Sequence, residues 1–243
     1  MNPASESLLL LPGLLCDRTV WEDQCAYFGA RYACQVPDYG TLDTLSGMAE
    51  HVLRHAPPGP FNLAGHSMGG RVALEVLRLA PQRVLRLALL DTGCQALDPG
   101  AAGETERAGR MALLRIAREE GMRAMGRAWA RGMVHPDRLD SALFDAVLDM
   151  IERRTPEIFA AQIHALLARP DALPLLPAIA CPTLVLCGRQ DSWSPLARHE
   201  EMAAVIPGAD LAAIEDSGHM STMEQPEAVN AAFDRWLRTP VRA

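Results

Sequence analysis

The 243-residue chain contains no lysine, so all 23 of its basic residues are arginines. This absence excludes Schiff-base catalysis, a lysine general base and the lysine of a phosphate-binding P-loop. Positive charge is also in deficit, because the formal net charge is −7. Nucleic-acid binding relies on an excess of positive charge, so we expect no nucleic-acid partner.

Paired cysteine motifs and metal-ligand spacings are missing as well. The six cysteines are scattered and none forms a Cys-x-x-Cys pair. We expect free, mostly buried thiols in a reducing compartment. The seven histidines show no His-Glu-x-x-His spacing. We therefore predict no metal and no other cofactor.

The apolar run at residues 8–15 is too short to span a membrane. It is preceded by Glu6 and by no arginine, unlike a secretory signal peptide. We interpret the run as a core strand and expect a cytoplasmic protein without membrane contact.

Short apolar runs alternate with amphipathic stretches in residues 1–94, and the same pattern returns in residues 172–243. This alternation is typical of a parallel sheet that is covered by helices on both faces. The predicted strands occupy residues 7–11, 31–36, 61–64, 84–90, 182–188 and 210–214.

Residues 95–171 contain no strand-like run and read as helices only, at 106–117, 119–133, 138–153 and 156–168. The sequence therefore predicts an α/β core made of residues 1–94 and 172–243, with an all-α insertion at 95–171.

A Gly-x-Ser-x-Gly motif stands at residues 65–69, between a predicted strand and an amphipathic helix. In a nucleophile elbow the serine occupies a strained turn with its hydroxyl aimed outward. Gly65 and Gly69 lack a Cβ, which allows strand and helix to approach closely. Ser67 is the candidate nucleophile, and the backbone N–H of Met68 can face a developing negative charge.

Asp191 and His219 each follow a predicted strand, as Ser67 does, so the three side chains should meet at the carboxyl edge of the sheet. Their order along the chain is the one expected for a Ser-Asp-His triad in this architecture. His219 would take the proton of Ser67, and Asp191 would orient the imidazole. A second oxyanion donor is expected at the N–H of Leu14.

Asp91 is a rival for the acid, because it also follows a strand. His66 adjoins the serine, but we expect its side chain to point away and to pack. The other histidines are interpreted as surface or packing residues; they are His51, His55, His135, His164 and His199.

The motif at 65–69, the strand end at 188–191 and the Ser-Gly-His sequence at 217–219 resemble those of the α/β-hydrolase fold superfamily, over nearly the whole chain. Within it, the chain is similar to a small bacterial carboxylesterase-like branch. The resemblance implies a doubly wound, mostly parallel sheet with a helical lid where residues 95–171 fall.

Two features depart from that family. Pro12-Gly13 replaces the usual His-Gly after the strand that precedes the oxyanion loop, which removes a side chain that often braces the loop. The family usually begins with an antiparallel hairpin, but few residues precede Leu8. We expect the hairpin to be missing, which leaves about six parallel strands with residues 31–36 at an exposed edge.

Apolar side chains on one face of the predicted helix 119–133 are candidates for a substrate pocket: Met122, Met125, Trp129 and Met133. Trp193, close to Asp191, is expected at the mouth of the site. Arginines 123, 127 and 131 lie on a neighbouring helix face. They either remain solvated or bind an anion, such as a carboxylate or the phosphate arm of a carrier protein.

These observations predict a serine hydrolase that cleaves a small-molecule carboxylic ester through an acyl-enzyme. The alternatives are a carbon–carbon bond hydrolase, a thioesterase or a lyase on the same fold, or a ligand-sensing signalling protein. Nothing in the sequence specifies a carrier-protein partner, the oligomeric state or the acyl chain length.

Overall fold

The computed structural model describes residues 6–241 and contains a parallel sheet of six strands. The strands are β1 (Ser7–Leu11), β2 (Ala33–Gln35), β3 (Phe61–His66), β4 (Val84–Leu90), β5 (Thr183–Gly188) and β6 (Asp210–Ile214). Their order is β2-β1-β3-β4-β5-β6, and each neighbouring pair is parallel. The predicted α/β architecture is confirmed, with the short β2 at an edge. The prediction about an N-terminal hairpin partly concerns residues 1–5, which lie outside the described range.

Helices cover both faces of the sheet and fill the segment between β4 and β5. They are α1 (Glu22–Phe28), α2 (Leu45–His55), α3 (Met68–Leu79), α4 (Ala101–Glu119), α5 (Met122–Trp129), α6 (Ala142–Glu152), α7 (Pro156–Leu167), α8 (Leu196–Val205), α9 (Ser221–Glu224) and α10 (Pro226–Arg238). The side chains of Thr44, Ser141 and Thr155 cap α2, α6 and α7 by accepting backbone N–H bonds. Within residues 6–241, no helix is both long and apolar enough to cross a bilayer.

The continuous apolar runs of the sequence become strands that are buried on both faces. Residues 8–11 of β1 are at most 2% exposed, and every residue of β3 and β5 is buried. Burial of aliphatic side chains on both sides of the sheet stabilises the core by roughly 25 cal/mol per Å² of apolar surface removed from water. All six cysteines are unpaired thiols.

Residues 95–171, hereafter the helical segment, contain α4 to α7 and no strand. The helix predicted over 119–133 is shorter in the structure, because α5 starts after Gly121, whose φ is +93°, and a 3-10 helix follows at Ala130–Gly132. Arg123 of α5 bonds Asp149 and Glu152 of α6, the latter at 2.7 Å. The assignment of this segment as a separate lid domain remains a prediction.

The turn between β3 and α3 is strained, since Ser67 has φ +54° and ψ −118°. A Cβ on Gly65 would lie 2.3 Å from the carbonyl oxygen of Gly69. A Cβ on Gly69 would lie 2.2 Å from the carbonyl oxygen of Leu11 in β1. Both contacts are with backbone atoms that cannot move away, so the close approach predicted from the motif requires glycine at 65 and 69.

We expect Gly69→Ala to lower the free energy of unfolding by about 3 kcal/mol or more, because the new methyl group overlaps the end of β1. Gly109→Ala is the matched control, since a Cβ there meets nothing within 4 Å in an exposed turn of α4. It should stabilise the protein by up to about 1 kcal/mol through helix propensity. Urea unfolding curves measure both; equal stabilities for the two variants would contradict the steric argument.

Candidate active site

The three side chains proposed for catalysis come from three strand ends and form one hydrogen-bonded chain. Ser67 follows β3, Asp191 follows β5 by a short turn, and His219 lies in the loop after β6. The Oγ of Ser67 is 2.8 Å from Nε2 of His219, and Nδ1 of His219 is 2.7 Å from Oδ2 of Asp191. This arrangement places the Ser67 proton on a bond to imidazole and the Nδ1 proton on a bond to the carboxylate.

The electrostatic environment favours a basic imidazole beside an ionised carboxylate. Burial alone would lower the pKa of His219, but the charge and hydrogen bond of Asp191 raise the pKa above its ordinary value. Burial alone would raise the pKa of Asp191, but His219 and the N–H groups of Ser194 and Trp193 hold it below its ordinary value. Those two N–H groups donate to Oδ1 at 2.9 and 2.8 Å. These bonds to Oδ1 orient the carboxylate so that its other oxygen, Oδ2, faces Nδ1 of His219.

Asp91 forms no hydrogen bond with the imidazole of His219 and has different partners. It accepts a bond from the N–H of Gly188 at 2.9 Å and is bonded to the hydroxyl of Ser221. Burial, together with the nearby charge of Asp191, raises the pKa of Asp91 to about 8. A carboxyl that retains its proton at neutral pH cannot serve as the anion behind His219.

Asp91, Asp191 and Cys187 bring one potential metal ligand each to within 4.8 Å of one another. Every one of these groups already has a hydrogen-bond partner inside the protein; the thiol of Cys187, for example, donates to the carbonyl of Ser194 at 3.3 Å. Burial also raises the pKa of that thiol, which disfavours the thiolate that a metal would need. The donor set does not fit a metal ion.

The loop that carries His219 is held by the helical segment. The N–H of His219 donates to the carbonyl of Met133 at 2.7 Å, and a Cβ on Gly218 would lie 2.7 Å from the backbone of Val134. Glu224, which is buried in α9, accepts bonds from the N–H groups of Gly218 and His135 at 2.8 and 2.7 Å. Sequence analysis missed Glu224 and had no local signal for it, because its neighbours Ser221, Thr222 and Gln225 are polar and a carboxylate there reads as a surface residue.

Leu14 and Met68, the two residues predicted to supply oxyanion donors, line the cavity together with Ser67. Met68 is the first residue of α3, so its N–H has no partner within the helix. The N–H of Leu14 has no backbone partner among residues 6–241. A Cβ on Gly13 would lie 3.2 Å from Cβ of Ser67, which places the loop after β1 directly against the serine.

The loop after β1 is braced by hydrogen bonds from the helical segment. Oε1 of Gln162 in α7 accepts the N–H of Leu15 at 2.8 Å, and both groups are buried. Arg154 donates to the carbonyl of Cys16 at 2.7 Å. Leu15 has φ +60°, so this turn is strained as well as tethered. These contacts supply the bracing that the Pro12-Gly13 sequence lacks.

A cavity of about 380 Å³ opens over Ser67 and His219. Of the residues predicted for the pocket, Trp129, Met133 and Trp193 line it, and the indoles of Trp129 and Trp193 stack at 5.1 Å. The prediction for Met122 and Met125 is wrong. Both are buried, but they lie outside the cavity wall, in the hydrophobic core.

Arginines 123, 127 and 131, which the sequence offered as possible anion-binding residues, also lie outside the cavity wall. Arg123 forms an ion pair with α6, and Arg127 and Arg131 are exposed. Four other arginines line the cavity instead, which are Arg71, Arg110, Arg169 and Arg198. Of the two alternatives for arginines 123, 127 and 131, the exposure of Arg127 and Arg131 agrees with solvated side chains.

The two buried histidines near the serine have structural partners. The Nε2 of His66 is 2.7 Å from the carbonyl of His219, and burial lowers the pKa of His66 to about 3. The Nε2 of His199 accepts the N–H of Thr92 at 2.9 Å. Neither imidazole contacts the hydroxyl of Ser67, as expected for packing residues.

Asp91→Asn tests the protonation state of the buried carboxyl. In the folded protein Asp91 keeps its proton up to about pH 8, whereas in the unfolded chain it ionises near 3.9. The folded state therefore binds more protons between these values, and wild-type stability falls as the pH rises. We expect the variant to gain at least about 1 kcal/mol relative to wild type between pH 5 and pH 8, measured by urea unfolding.

Asp234→Asn is the control. Hydrogen bonds from Tyr27 and Arg31 outweigh burial and lower the pKa of Asp234, so it is ionised throughout that pH range in both states. Its stability difference from wild type should stay constant. A constant difference for Asp91→Asn as well would contradict the protonated state of Asp91.

The sequence and the fold of this chain are similar to those of known hydrolases. The model of the alpha/beta hydrolase family matches residues 8–232. A thermophilic esterase from Thermogutta terrifontis, whose structure is described as malate bound, is 30% identical with a TM-score of 0.85, over 96% of this chain and 91% of that chain.

Curated relatives include hydrolases of similar length. A pimeloyl-acyl-carrier-protein methyl ester esterase from Aromatoleum aromaticum is 27% identical, over 90% of this chain and 93% of the relative. An (E)-2-((N-methylformamido)methylene)succinate hydrolase from Acinetobacter baylyi is 25% identical, over 96% of this chain and 91% of the relative.

The chain also matches polyketide synthase ThaQ from Burkholderia thailandensis at 27% identity, but it spans only 12% of that protein. Together with the sheet order and the strained turn at Ser67, the match over residues 8–232 shows that this chain belongs to the alpha/beta hydrolase family.

Proposed function

We propose that the protein is a serine hydrolase that cleaves a carboxylic ester through a covalent acyl-enzyme. The observation that carries the proposal is the hydrogen-bonded chain from Asp191 through His219 to Ser67, at the wall of a cavity of about 380 Å³. A nucleophile, a base and an orienting acid within hydrogen-bond reach of one another are the parts that acyl transfer requires.

In the acylation step, His219 Nε2 accepts the proton of Ser67 while Oγ bonds to the ester carbonyl carbon. The electron pair of the carbonyl moves to its oxygen, which faces the N–H groups of Met68 and Leu14. The tetrahedral intermediate collapses, the bond to the alcohol oxygen breaks, and the alcohol leaves with the proton from His219. Asp191 stabilises the imidazolium that forms between these events.

In the deacylation step, water takes the place of the alcohol. His219 removes a proton from the water as its oxygen bonds to the acyl carbon, and then returns a proton to Ser67 as the acid leaves. Each oxyanion donor is worth about 3 to 4 kcal/mol of transition-state stabilisation in such sites. The positions of Leu14 and Met68 therefore contribute to the rate in addition to the side chains of the triad.

The relatives support ester or related acyl chemistry. One is described as an esterase with malate bound, one as a methyl ester esterase and one as the hydrolase of a substituted succinate. The cavity lies at the lower end of the volumes typical of ligand sites, which supports a small substrate. We include in the proposal that the helical segment acts as a lid over this cavity.

A panel of p-nitrophenyl esters from acetate to decanoate tests the proposal. We expect multiple turnover with kcat/KM highest for the short acyl chains, because the cavity is small. Ser67→Ala should reduce kcat by about 10⁴-fold or more, since it removes the nucleophile. Unchanged turnover in Ser67→Ala, or none with wild type, would refute ester hydrolysis at this serine.

The same panel of esters, assayed with two Asp→Asn variants, tests whether Asp191 or Asp91 is the acid that orients His219. Asp191→Asn should lower kcat by about 10⁴-fold, because an amide leaves the wrong imidazole tautomer facing Ser67. Asp91→Asn should lower kcat by less than about tenfold, since Asp91 forms no hydrogen bond with His219 and stays neutral. A larger loss of kcat in Asp91→Asn than in Asp191→Asn would show that Asp91, not Asp191, orients the imidazole.

Gln162 is proposed as a positioning residue for the loop that carries Leu14. Gln162→Met removes the acceptor of the Leu15 N–H, so we expect kcat to fall about tenfold while KM for short esters changes less. Gln162→Glu keeps an oxygen acceptor and should retain more of kcat than Gln162→Met. Equal losses in both variants, or a loss confined to KM, would contradict the positioning role.

A further inference from the structure

Four arginines converge on the cavity from separate parts of the chain: Arg71 on α3, Arg110 on α4, Arg169 after α7 and Arg198 on α8. The chain as a whole is acidic, with a net charge of −7, so this concentration of positive charge is local. It adjoins Ser67 and is not required by the triad chemistry.

Only part of this charge is neutralised within the protein. Glu106 accepts bonds from Arg169 at 2.7 and 2.8 Å and from Arg110 at 2.9 Å. Burial would raise the pKa of Glu106, but these two arginines hold it at about 2. The single negative charge of Glu106 is therefore shared between two guanidinium groups, and both of its oxygens already accept hydrogen bonds.

Arg71 and Arg198 have no carboxylate partner within 4.0 Å among residues 6–241. Arg71 donates to the carbonyl of Gln95 at 2.8 Å, an acceptor that it shares with Arg169 at 3.3 Å. Burial and the charges of Arg169 and Arg198 lower the pKa of Arg71 to about 9, so it remains a cation at neutral pH. An unneutralised cation held next to other cations costs stability unless an anion joins it.

The two unpaired guanidinium groups meet over the backbone of Gly93. A Cβ on that residue would lie 3.2 Å from Nη2 of Arg71 and 3.4 Å from Nη1 of Arg198. A larger residue would fill the place where the two groups come together. Each planar guanidinium group can donate two parallel N–H bonds to the two oxygens of a carboxylate.

This cluster is close to the reaction centre. Arg71 is four residues beyond Ser67, which corresponds to about 6 Å along α3. Both arginines and Ser67 line the same small cavity, and the apolar side chains of Leu113 and Met133 also line it. One ligand can therefore reach the serine and the arginines, with a short apolar chain in between.

We propose that the substrate is the half-ester of a small dicarboxylic acid, whose free carboxylate binds Arg71 and Arg198 while its ester carbonyl lies at Ser67. This inference rests on the proposed ester hydrolysis and adds the class of acyl group. It places anion binding on Arg71 and Arg198 instead of on arginines 123, 127 and 131, for which anion binding was one of two alternatives.

The test compares monomethyl adipate with methyl hexanoate, which differ mainly in the terminal carboxylate. We expect wild-type kcat/KM to favour monomethyl adipate at least tenfold, as followed by acid release in a pH-stat. In the double variant Arg71→Met with Arg198→Met, the ratio should fall at least tenfold. The control Arg127→Met changes an exposed arginine outside the cavity and should leave the ratio unaltered.

A binding measurement keeps this inference separate from the proposed reaction. Adipate should bind to Ser67→Ala protein in isothermal titration calorimetry, and the added Arg71→Met and Arg198→Met changes should weaken binding at least tenfold. Binding without turnover of either ester would refute ester hydrolysis but support the anion site. No adipate binding, or a wild-type preference for methyl hexanoate, would overturn the inference.

Discussion

The contact between the end of β1 and the start of α3 is the constraint on which the rest of the site depends. A Cβ on Gly69 would overlap the carbonyl oxygen of Leu11, so the first turn of α3 packs directly on the backbone of the neighbouring strand. That packing holds Ser67 at φ +54° and brings the loop after β1 against its Cβ. The positions of Ser67, Met68 and the loop that carries Leu14 thus depend on one close backbone approach, which only glycine permits.

The helical segment takes part in the same geometry from the other side. The carbonyl of Met133 accepts the N–H of His219, and Gln162 accepts the N–H of Leu15. The stacked indoles of Trp129 and Trp193 join the segment to the turn after Asp191. The loops that carry His219, Asp191 and Leu14 are therefore each in contact with residues 95–171, although these loops follow strands of the sheet.

Much of the core could be predicted from sequence because its signals are local. Apolar runs of strand length and the glycines of residues 65–69 depend on short stretches, and parallel topology brings strand ends to one edge. The relation of Asp191 to His219 followed from that topology. The structure adds the reason why Asp91 differs: its oxygens are engaged by Gly188 and Ser221, and it retains a proton.

The walls of the cavity were not predictable in the same way. Helical periodicity shows that Met122 and Met125 share an apolar face, but it does not show what that face packs against. Arg71 and Arg198 are distant in sequence and meet only after α3 and α8 dock. Gln162 was predictable only in part. An amide in an apolar helix indicates that it has a buried hydrogen-bond partner, but it does not identify that partner.

The hydrogen bonds from residues 133 and 162 also have a consequence for how such enzymes diversify. A cap that only covered a cavity could be exchanged freely for another of similar outline. Here a replacement would have to present two acceptors, a main-chain oxygen for the histidine loop and a side-chain oxygen for the turn at Leu15. Variation in specificity is therefore easier through side chains on the inner surface of the existing helices than through exchange of the whole helical segment.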